Sequence, residues 1–263
     1  MKTILLNHIL YVFIIFHKSI MTVSALIPAR LHSTRLEKKL LKNLKGIPLI
    51  VRTYQAVNSS NLFDEVKVVT DSDEIIDVLK KNNIAYFKSI KPHKTGTDRI
   101  AEFADDMKSD LIINIQGDEP FVRKEDLSKI IGVFKNDRNK KINVASLMIK
   151  LNKMEDITNN NNVKVVVDKN NDSILFSRNP IPFVRGEYEP NFYKHVGVYA
   201  FRNIYLKEFS KYKQTPLERT EMIEALRIIE NGKKIRMIEI FKEHVSIDTV
   251  EDFKRAESIL RKK

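Results

Sequence analysis

Short runs of consecutive apolar residues alternate along this chain with stretches in which apolar residues recur at helical spacing. The apolar runs lie at 22–29, 65–71, 84–89, 110–120, 143–149, 163–168, 195–201 and 234–240. Helical spacing is clearest at 47–60, 73–83 and 99–108. Consecutive apolar residues bounded by turn residues indicate strands that are buried on both faces. Strands that alternate with helices predict an α/β fold in which a mainly parallel central sheet carries flanking helices.

The second half of the chain departs from this regular alternation. The segment 163–183 predicts a β-hairpin whose turn lies at 169–172. A helix is expected over 215–232, and a last helix is expected to begin after Asp248 or Thr249. Because the chain shows no internal repeat and no flexible linker, the part that follows residue 20 is predicted to form a single domain, 21–263.

The composition narrows the chemistry that the chain can perform. Its 263 residues include no cysteine, which excludes disulfide bonds, thiolate metal ligands and a thiolate nucleophile. Any metal ion must therefore be bound by oxygen or imidazole. The formal net charge of +12 would attract nucleic acid, an anionic membrane or a phosphorylated small molecule. Because lysine and asparagine are abundant together, the excess charge is also consistent with solvated surfaces that bind nothing.

Residues 1–20 look like a targeting segment at first, because Lys2 precedes an apolar stretch at 9–16. That stretch is too short to span a bilayer, for which about 20 apolar residues are needed. A signal peptide also needs small residues at a cleavage site, and the candidate at 23–25 lies inside the first predicted strand. Because Met21 stands immediately before that strand, we interpret the segment as a dispensable extension or a misassigned start. A membrane-associated N-terminus is the alternative.

A basic segment follows the first predicted strand, at the edge of the sheet where ligands of α/β proteins bind. It contains Arg30, Ser33, Arg35 and Lys39. Cationic side chains and free backbone amides at the end of a strand suit a phosphate group. The segment matches neither a P-loop nor a dinucleotide-binding motif. A solvated basic turn is the alternative, but it explains poorly why cations cluster at the end of an apolar strand.

Acidic residues stand at two other strand ends. The strand that starts at residue 110 ends in Gln116, Gly117, Asp118 and Glu119. Asp248 lies at a similar junction between a strand and a helix. Carboxylates there suit Mg²⁺, which takes one or two protein carboxylates and completes its shell with phosphates and water. Two such aspartates could share one ion. An ordinary acidic turn is the alternative for each of them alone.

Two further sets of side chains suit a nucleotide or a sugar. The first precedes a predicted helix, where small hydroxyls, a glycine and an arginine fit a base or ribose edge, although an ordinary N-cap explains the threonines equally well. It consists of Thr95, Gly96, Thr97 and Arg99. The second is scattered through the second half, and each member alone is more often structural. It consists of Arg178, His195, Tyr199 and Glu224.

The order of these pieces resembles the 3-deoxy-manno-octulosonate cytidylyltransferase, or CMP-Kdo synthetase, family from about residue 22 to residue 258. The motifs that carry the resemblance are IPARLHSTRLEKKLL, VVTDSDEI, KTGTDRIAE, NIQGDEPFV, NNVKVVVD, FSRNPIPF, KHVGVYAFR, TPLERTEMIEALR and SIDTVED. The resemblance implies a fold of the nucleotide-diphospho-sugar transferase type with a smaller β-rich insertion for sugar binding and dimerisation. It implies a Mg²⁺-dependent reaction of CTP with Kdo that yields CMP-Kdo and pyrophosphate for lipopolysaccharide biosynthesis. It also implies a cytoplasmic homodimer that has no stable membrane insertion.

The resemblance also assigns roles to the candidate residues. The triphosphate would be held by Arg30, Ser33, Arg35 and Lys39. The cytidine and its phosphates would lie near Thr95, Gly96, Thr97 and Arg99. The metal ligands would be Asp118 and Asp248. The catalytic residues would be Arg30, Lys39 and Asp118. The sugar acid would be held by Gln116, Arg178, His195, Tyr199 and Glu224, with the arginine against its carboxylate.

Three departures from the family pattern concern the site. The basic loop usually reads R-L-P-G-K-P, whereas residues 35–40 here lack both prolines and the glycine and keep the lysine. Ala225 stands where the family has glutamine, and 242–249 replaces a glycine-containing approach to the second aspartate. The identity of the accepted sugar is the property that these changes leave most open.

Two other classes of function remain as alternatives at this point. One is a nucleotidyltransferase that uses a different base or a different acidic sugar, such as a Kdo analogue or a sialic-acid-like sugar. The other is a non-enzymatic protein that binds nucleic acid through its basic surface. Against it, the lysines are spread over the whole chain, and no RNP-like, zinc-finger or basic-helix pattern occurs.

Overall fold

A computed structural model of the protein describes residues 21–33, 35–242 and 244–261, so the interpretation of residues 1–20 falls outside the described part. The strands are β1 (Val23–Ala29), β2 (Asn43–Leu44), β3 (Ile47–Pro48), β4 (Glu65–Thr70), β5 (Tyr86–Lys88), β6 (Leu111–Asn114), β7 (Val144–Leu151), β8 (Lys164–Val167), β9 (Ser173–Ser177), β10 (Phe192–Arg202) and β11 (Arg236–Ile240). The helices are α1 (Leu49–Asn58), α2 (Asp73–Lys81), α3 (Gly96–Ala101), α4 (Lys124–Asn136), α5 (Met154–Thr158), α6 (Asn203–Phe209), α7 (Pro216–Glu221), α8 (Ala225–Glu230) and α9 (Val250–Arg261).

The large sheet has the strand order β11-β7-β10-β6-β1-β4-β5. Four of the six pairs along this order are parallel, which confirms the predicted mainly parallel sheet. The exception is β10, which runs antiparallel to both of its neighbours. The predicted hairpin is also confirmed, because β8 and β9 pair antiparallel and β8 extends the sheet from β10.

Both faces of the sheet are covered, as strands without polar alternation require. Alternate residues of β1 contribute to two apolar clusters: Ile27 belongs to one cluster and Leu26 to the other. The first cluster includes buried residues of α1 and α4, and the second includes buried residues of α6 and α8. The carboxyl ends of the parallel strands are therefore left as the open edge for a ligand.

Two predicted helices differ in the structure. The segment 215–232 forms two short helices, because Met222 takes a left-handed conformation with φ 54° that no α-helix can continue. Thr215 and Glu218 nevertheless form the predicted capping box. The helix predicted over 99–108 starts earlier and ends at Ala101, since Thr95 is its N-cap and turns follow it.

The last helix begins at one of the two positions that the sequence predicted. The Asp252 backbone N–H donates to Thr249 Oγ1 at 3.1 Å, so Thr249 is the N-cap and Asp248 lies just outside the helix. Among the described residues, no helix combines the length and the apolar character that crossing a membrane requires.

Candidate active site

A cavity of about 710 Å³ opens at the carboxyl ends of the central strands. Most of the residues predicted from the sequence line it, although they come from segments far apart in the chain. They are Arg30, Ser33, Lys39, Thr95, Gly96, Arg99, Gln116, Asp118, Tyr199, Glu224 and Asp248. The basic segment after β1 and the turn after β6 therefore meet, because the two strands are parallel neighbours whose ends share one edge of the sheet.

Lys39 lies between the two predicted metal ligands. Its Nζ is 2.5 Å from Asp118 Oδ2 and 2.8 Å from Asp248 Oδ1. Burial alone would lower the pKa of Lys39, but the carboxylates of Asp118 and Asp248 outweigh burial and raise it. Burial opposes ionisation of Asp248 as well, yet Lys39 and the nearby arginines hold the pKa of Asp248 below its usual value. Lys39 and Asp248 are thus both charged at neutral pH.

The backbone holds the two aspartates close together. Asp118 lies in the turn after β6, and Asp248 lies directly before α9. The Ile247 backbone N–H donates to the Asp118 backbone carbonyl at 3.0 Å, which ties the two segments to each other. Gly117 permits the tight turn, because a Cβ at this position would lie 3.1 Å from the Pro28 carbonyl oxygen.

The basic loop has a lysine, Lys38, where the family pattern has glycine. Lys38 adopts a left-handed backbone with φ 47° immediately before the 3₁₀-helix that carries Lys39. Such a conformation costs a residue with a side chain roughly 1–2 kcal/mol. The Lys38 ammonium contacts Glu74 at 2.7 Å, so an ion pair with α2 accompanies the strained residue. Arg35 in the same loop contacts Asp248 at 3.3 Å.

The two aspartates fit a small divalent cation. Their oxygens both contact the same nitrogen, so they lie no further apart than the sum of the two contact distances. Within the described residues, no group of three or more histidine, aspartate or glutamate side chains could hold a metal ion. A cation here would therefore take two protein carboxylates and complete its shell with substrate oxygens and water, as Mg²⁺ does.

The segment around α3 lines the opposite wall of the cavity. A Cβ on Gly96 would lie 3.1 Å from Pro28 Cγ and 3.1 Å from Gln116 Oε1, so the glycine lets the helix approach β1 closely. Arg99 is buried and donates to Asp71 at 3.0 Å. Thr97 is buried below the wall, where its backbone N–H donates to Glu224 at 3.2 Å and its hydroxyl donates to the same carboxylate.

The residues predicted to hold the sugar fall into three places. Tyr199 and Glu224 line the main cavity, and burial raises the pKa of both. His195 lines an adjoining cavity of about 730 Å³, which shares Gln116 with the first. Burial lowers the pKa of His195 to about 4, so its ring is neutral at pH 7, and Nε2 lies 2.9 Å from Ser146 Oγ.

Arg178 lines neither cavity. Its Nε donates to the Glu221 carbonyl at 2.8 Å and its Nη1 donates to the Asn160 carbonyl at 3.0 Å. The guanidinium thus joins the end of β9 to α7 and to the turn before β8. The predicted contact between Arg178 and the sugar carboxylate stays a prediction.

Two buried clusters were missed by the sequence reasoning. In one, Arg227 contacts Asp98 and Glu218 at 2.6 Å each and so joins α3 to α7 and α8. An arginine on the apolar side of a predicted helix was the available signal. In the other, His244 contacts Asp126 at 2.9 Å, and no spacing in the sequence relates these two residues.

The sheet, its cationic edge and the paired carboxylates define the chain as a nucleotidyltransferase. A family model described as "Cytidylyltransferase" matches residues 24–235. A 3-deoxy-manno-octulosonate cytidylyltransferase from Flavobacterium johnsoniae is 45% identical over 242 residues, which cover 92% of this chain and 99% of that protein. One from Fusobacterium nucleatum is 41% identical and covers 88% of this chain and 93% of its own length. The chain belongs to the 3-deoxy-manno-octulosonate cytidylyltransferase family.

Solved structures agree with this assignment. A CMP:2-keto-3-deoxy-manno-octonic acid synthetase complexed with CTP superposes with a TM-score of 0.86 at 29% identity, covering 92% of this chain and 99% of its own. A 4-diphosphocytidyl-2C-methyl-D-erythritol synthase from Anaerococcus prevotii, at 18% identity and a TM-score of 0.61, shows the shared fold alone. Neither the nucleic-acid binder nor a transferase for another sugar gains support from these likenesses.

Proposed function

We propose that this chain transfers the cytidylyl group of CTP to Kdo and releases pyrophosphate. The observation that carries the proposal is the convergence of Asp118 and Asp248 on the Lys39 ammonium, in a cavity lined by the predicted phosphate-binding residues. The names of the relatives and the CTP bound to the similar solved structure supply the substrates. The product would serve lipopolysaccharide biosynthesis.

The basic loop would hold the triphosphate. Arg30, Ser33 and Lys39 line the cavity directly, and Arg35 lines the adjoining cavity, where it contacts Asp248. A sugar hydroxyl can attack the α-phosphorus while pyrophosphate leaves, so no protein nucleophile is needed. Arg30 and Lys39 would then offset the negative charge that grows on the leaving group. Lys39 is suited to this role because its ammonium lies in the cavity beside both aspartates.

The opposite wall would select the base and orient the acceptor. Thr95, Gly96 and Arg99 would lie near the cytidine, and Thr97 would act beneath the surface by fixing Glu224. The sugar acid would lie between these residues and the adjoining cavity, against Gln116, Tyr199, Glu224 and His195. Holding both reactants in one orientation is a large part of catalysis in such transfers.

We also propose that the reaction depends on Mg²⁺ held by Asp118 and Asp248. A bound Mg²⁺ would neutralise charge on the α-phosphate and make the attacking hydroxyl more acidic. Asp118 and Asp248 fit this role by their oxygen ligands and their close approach. Without a cation, the negative charges of the two aspartates would repel the phosphates of CTP. The positive charge of Lys39 also reduces this repulsion.

Release of pyrophosphate from CTP tests the proposed function. The purified chain should release pyrophosphate only when Kdo and Mg²⁺ are both present, and EDTA should stop the release. UTP and GTP should be poor substitutes for CTP, and sialic acids should be poor substitutes for Kdo. Equal turnover with another acidic sugar would move the proposal to that sugar. No release with any acidic sugar would reject it.

Two properties implied by the family remain proposals of their own. A homodimer should appear in sedimentation equilibrium as twice the mass of one chain, 30.6 kDa. A cytoplasmic location should appear on fractionation of cells that express the full-length chain, including residues 1–20. Recovery of the chain with the membranes would favour the alternative interpretation of that segment.

A further inference from the structure

The segment that joins β11 to α9 carries Asp248, one of the two proposed metal ligands, but forms no helix or strand in its described part, 241–242 and 244–249. Phe241 at its beginning is 78% exposed. The segment is tied to the Asp118 carbonyl by the Ile247 backbone N–H at 3.0 Å, and any second anchor must come from its side chains. Its buried side chains are Ile247, which is apolar, and His244, which is polar.

His244 lies between two carboxylates that belong to the other side of the site. Its Nε2 is 2.9 Å from Asp126 Oδ2, and its Nδ1 is 3.8 Å from Glu119 Oε2. The side chains are 2% exposed for His244, 3% for Asp126 and 7% for Glu119. Asp126 lies in the first turn of α4, and Glu119 follows Asp118 directly. One imidazole thus connects the segment of Asp248 with the turn of Asp118.

The charge around the imidazole favours this connection. Burial alone would lower the pKa of His244, but the carboxylates of Glu119 and Asp126 outweigh burial and raise it. A protonated imidazole donates a hydrogen from each of its two ring nitrogens. Among the described residues, His244 Nδ1 and Glu119 Oε2 are buried atoms without a hydrogen-bond partner, and they face each other. A movement of less than about 1 Å would bring them within hydrogen-bond distance.

We propose that His244 is a positioning residue that sets the distance between Asp118 and Asp248 by bridging Asp126 and Glu119. The inference rests on the proposed function only in taking Asp118 and Asp248 as ligands of one divalent cation. His244 contacts Glu119 and Asp126 rather than the two ligands, so its effect passes through the backbone of both segments.

Binding of Mn²⁺, measured by electron paramagnetic resonance on the full chain with CTP and without Kdo, tests this role without requiring turnover. His244→Ala should raise the dissociation constant for Mn²⁺ by about 10-fold, at the lower end of the 10–100-fold loss seen when partners outside the ligand set are removed. His244→Gln should recover part of the affinity, because its side-chain amide can donate to Asp126. Asp126→Asn should weaken Mn²⁺ binding in the same direction as His244→Ala.

Asp137→Asn is the matched control. Asp137 lies at the other end of α4, where it contacts Arg202 at 2.9 Å in a pair that is similarly buried. Its substitution should lower the melting temperature and leave Mn²⁺ affinity unchanged. A purely structural role of His244 would make His244→Ala behave like this control, with wild-type Mn²⁺ affinity at temperatures where the chain is folded. That result would overturn the inference.

The remaining outcomes separate the two proposals. No Mn²⁺ binding by the wild-type chain, with or without CTP, would overturn the inference as well. Mn²⁺ binding that Asp118→Asn abolishes, without any pyrophosphate release from CTP and Kdo, would reject the proposed function and leave the role of His244 standing. If His244→Ala does not fold, His244→Gln and Asp126→Asn carry the same test.

Discussion

The two halves of the chain build the site in different ways. In the first half, the cavity residues follow parallel strands or begin helices, as Arg30 does after β1 and Asp118 after β6. In the second half, Tyr199 comes from the interior of an antiparallel strand, and Glu224 comes from the break between α7 and α8. A regular sheet thus supplies the proposed phosphate side and one proposed metal ligand, Asp118. Irregular structure supplies most of the proposed sugar side and the other ligand, Asp248.

This difference matters for how each half tolerates change. The strand ends of the first half are fixed by the backbone pairing of β1 with β4 and β6. The register of β10 against β7 instead shifts between Val196 and Tyr199, and that irregularity places His195 and Tyr199 with ring centroids 5.2 Å apart. A change of sugar specificity is therefore expected to require changes in the second half, while the first half keeps the nucleotide chemistry.

The largest expected effect comes from Asp118 and Asp248, which belong to different halves of the chain and lie close together in the site. Asp118→Asn and Asp248→Asn should each lower turnover by more than about 100-fold, since even the outer partners of metal ligands are worth 10–100-fold. The fold should remain intact in both variants. Steady-state kinetics at saturating Mg²⁺, with circular dichroism as a check of folding, measures this.

A surface variant provides the control for these two. Asp105 is 89% exposed and pairs with Lys207 away from the cavity, so Asp105→Asn should have wild-type turnover. Near-normal formation of CMP-Kdo by either the Asp118 or the Asp248 variant would remove that aspartate from the proposed metal site. The two halves of the chain would then not share a metal ion.

The next largest expected effect is a loss of folding stability at low pH, caused by His195 in the second half of the chain. Its pKa of about 4 in the folded chain lies below the value of an exposed histidine. The unfolded chain takes up the proton first as the pH falls from about 6.5 to about 4, so folding loses stability over that interval and keeps it above. The loss from this residue is at most about 3.4 kcal/mol, because each pKa unit corresponds to about 1.36 kcal/mol.

Nuclear magnetic resonance measures this titration directly from the His195 ring protons. A midpoint near 4 is expected, and comparison of the unfolding free energies of wild type and His195→Asn between pH 6.5 and pH 5 separates His195 from the carboxylates. A midpoint near 6.5 would mean that the ring is solvated, and the sugar side would be more open than the structure shows.

Arg178 tests how rigid the second half is. Arg178→Ala should lower the free energy of unfolding by about 1–3 kcal/mol, because two carbonyls lose a charged donor. The predicted contact with the sugar carboxylate has a separate signature, a higher KM for Kdo at an unchanged KM for CTP. Urea unfolding and kinetics distinguish the two effects, and a variant that alters neither would contradict both roles.

Gly117 gives the corresponding, smaller test in the first half. Gly117→Ala should destabilise the fold by about 1–3 kcal/mol, because its Cβ meets backbone and two packed leucine and isoleucine side chains. A Cβ on Gly132, inside α4, would have no described atom within 4 Å, so Gly132→Ala should stabilise by about 0.5–1 kcal/mol. Thermal unfolding measures both, and equal effects would show that the turn after β6 is less tightly packed than proposed.

The sequence predicts the first half better than the second for a physical reason. Consecutive apolar residues in 22–29 and 110–120 can only be buried between two layers, and parallel pairing then brings their carboxyl ends together. The approach of Lys39, in the basic segment after β1, to Asp118, in the turn after β6, follows from that rule. The break at Met222 does not follow from any rule, because helix propensity continues across it and tertiary contacts decide the outcome.

The residues that support the site were the least predictable. The contact of His244 with Asp126 joins positions 118 residues apart, and the position of Arg178 depends on carbonyls at the end of α7 and in the turn before β8. Buried polar contacts of this kind arise once the apolar layers have packed, and periodicity carries no information about them.

Anomalous diffraction at the manganese edge, from crystals grown with CTP and Mn²⁺, probes the shared metal site most directly. We expect a peak within bonding distance of both the Asp118 and the Asp248 carboxylates, with phosphate oxygens of CTP completing the shell and Lys39 beside it. A manganese ion bound to only one of these aspartates, or to neither, would show that they do not share a cation.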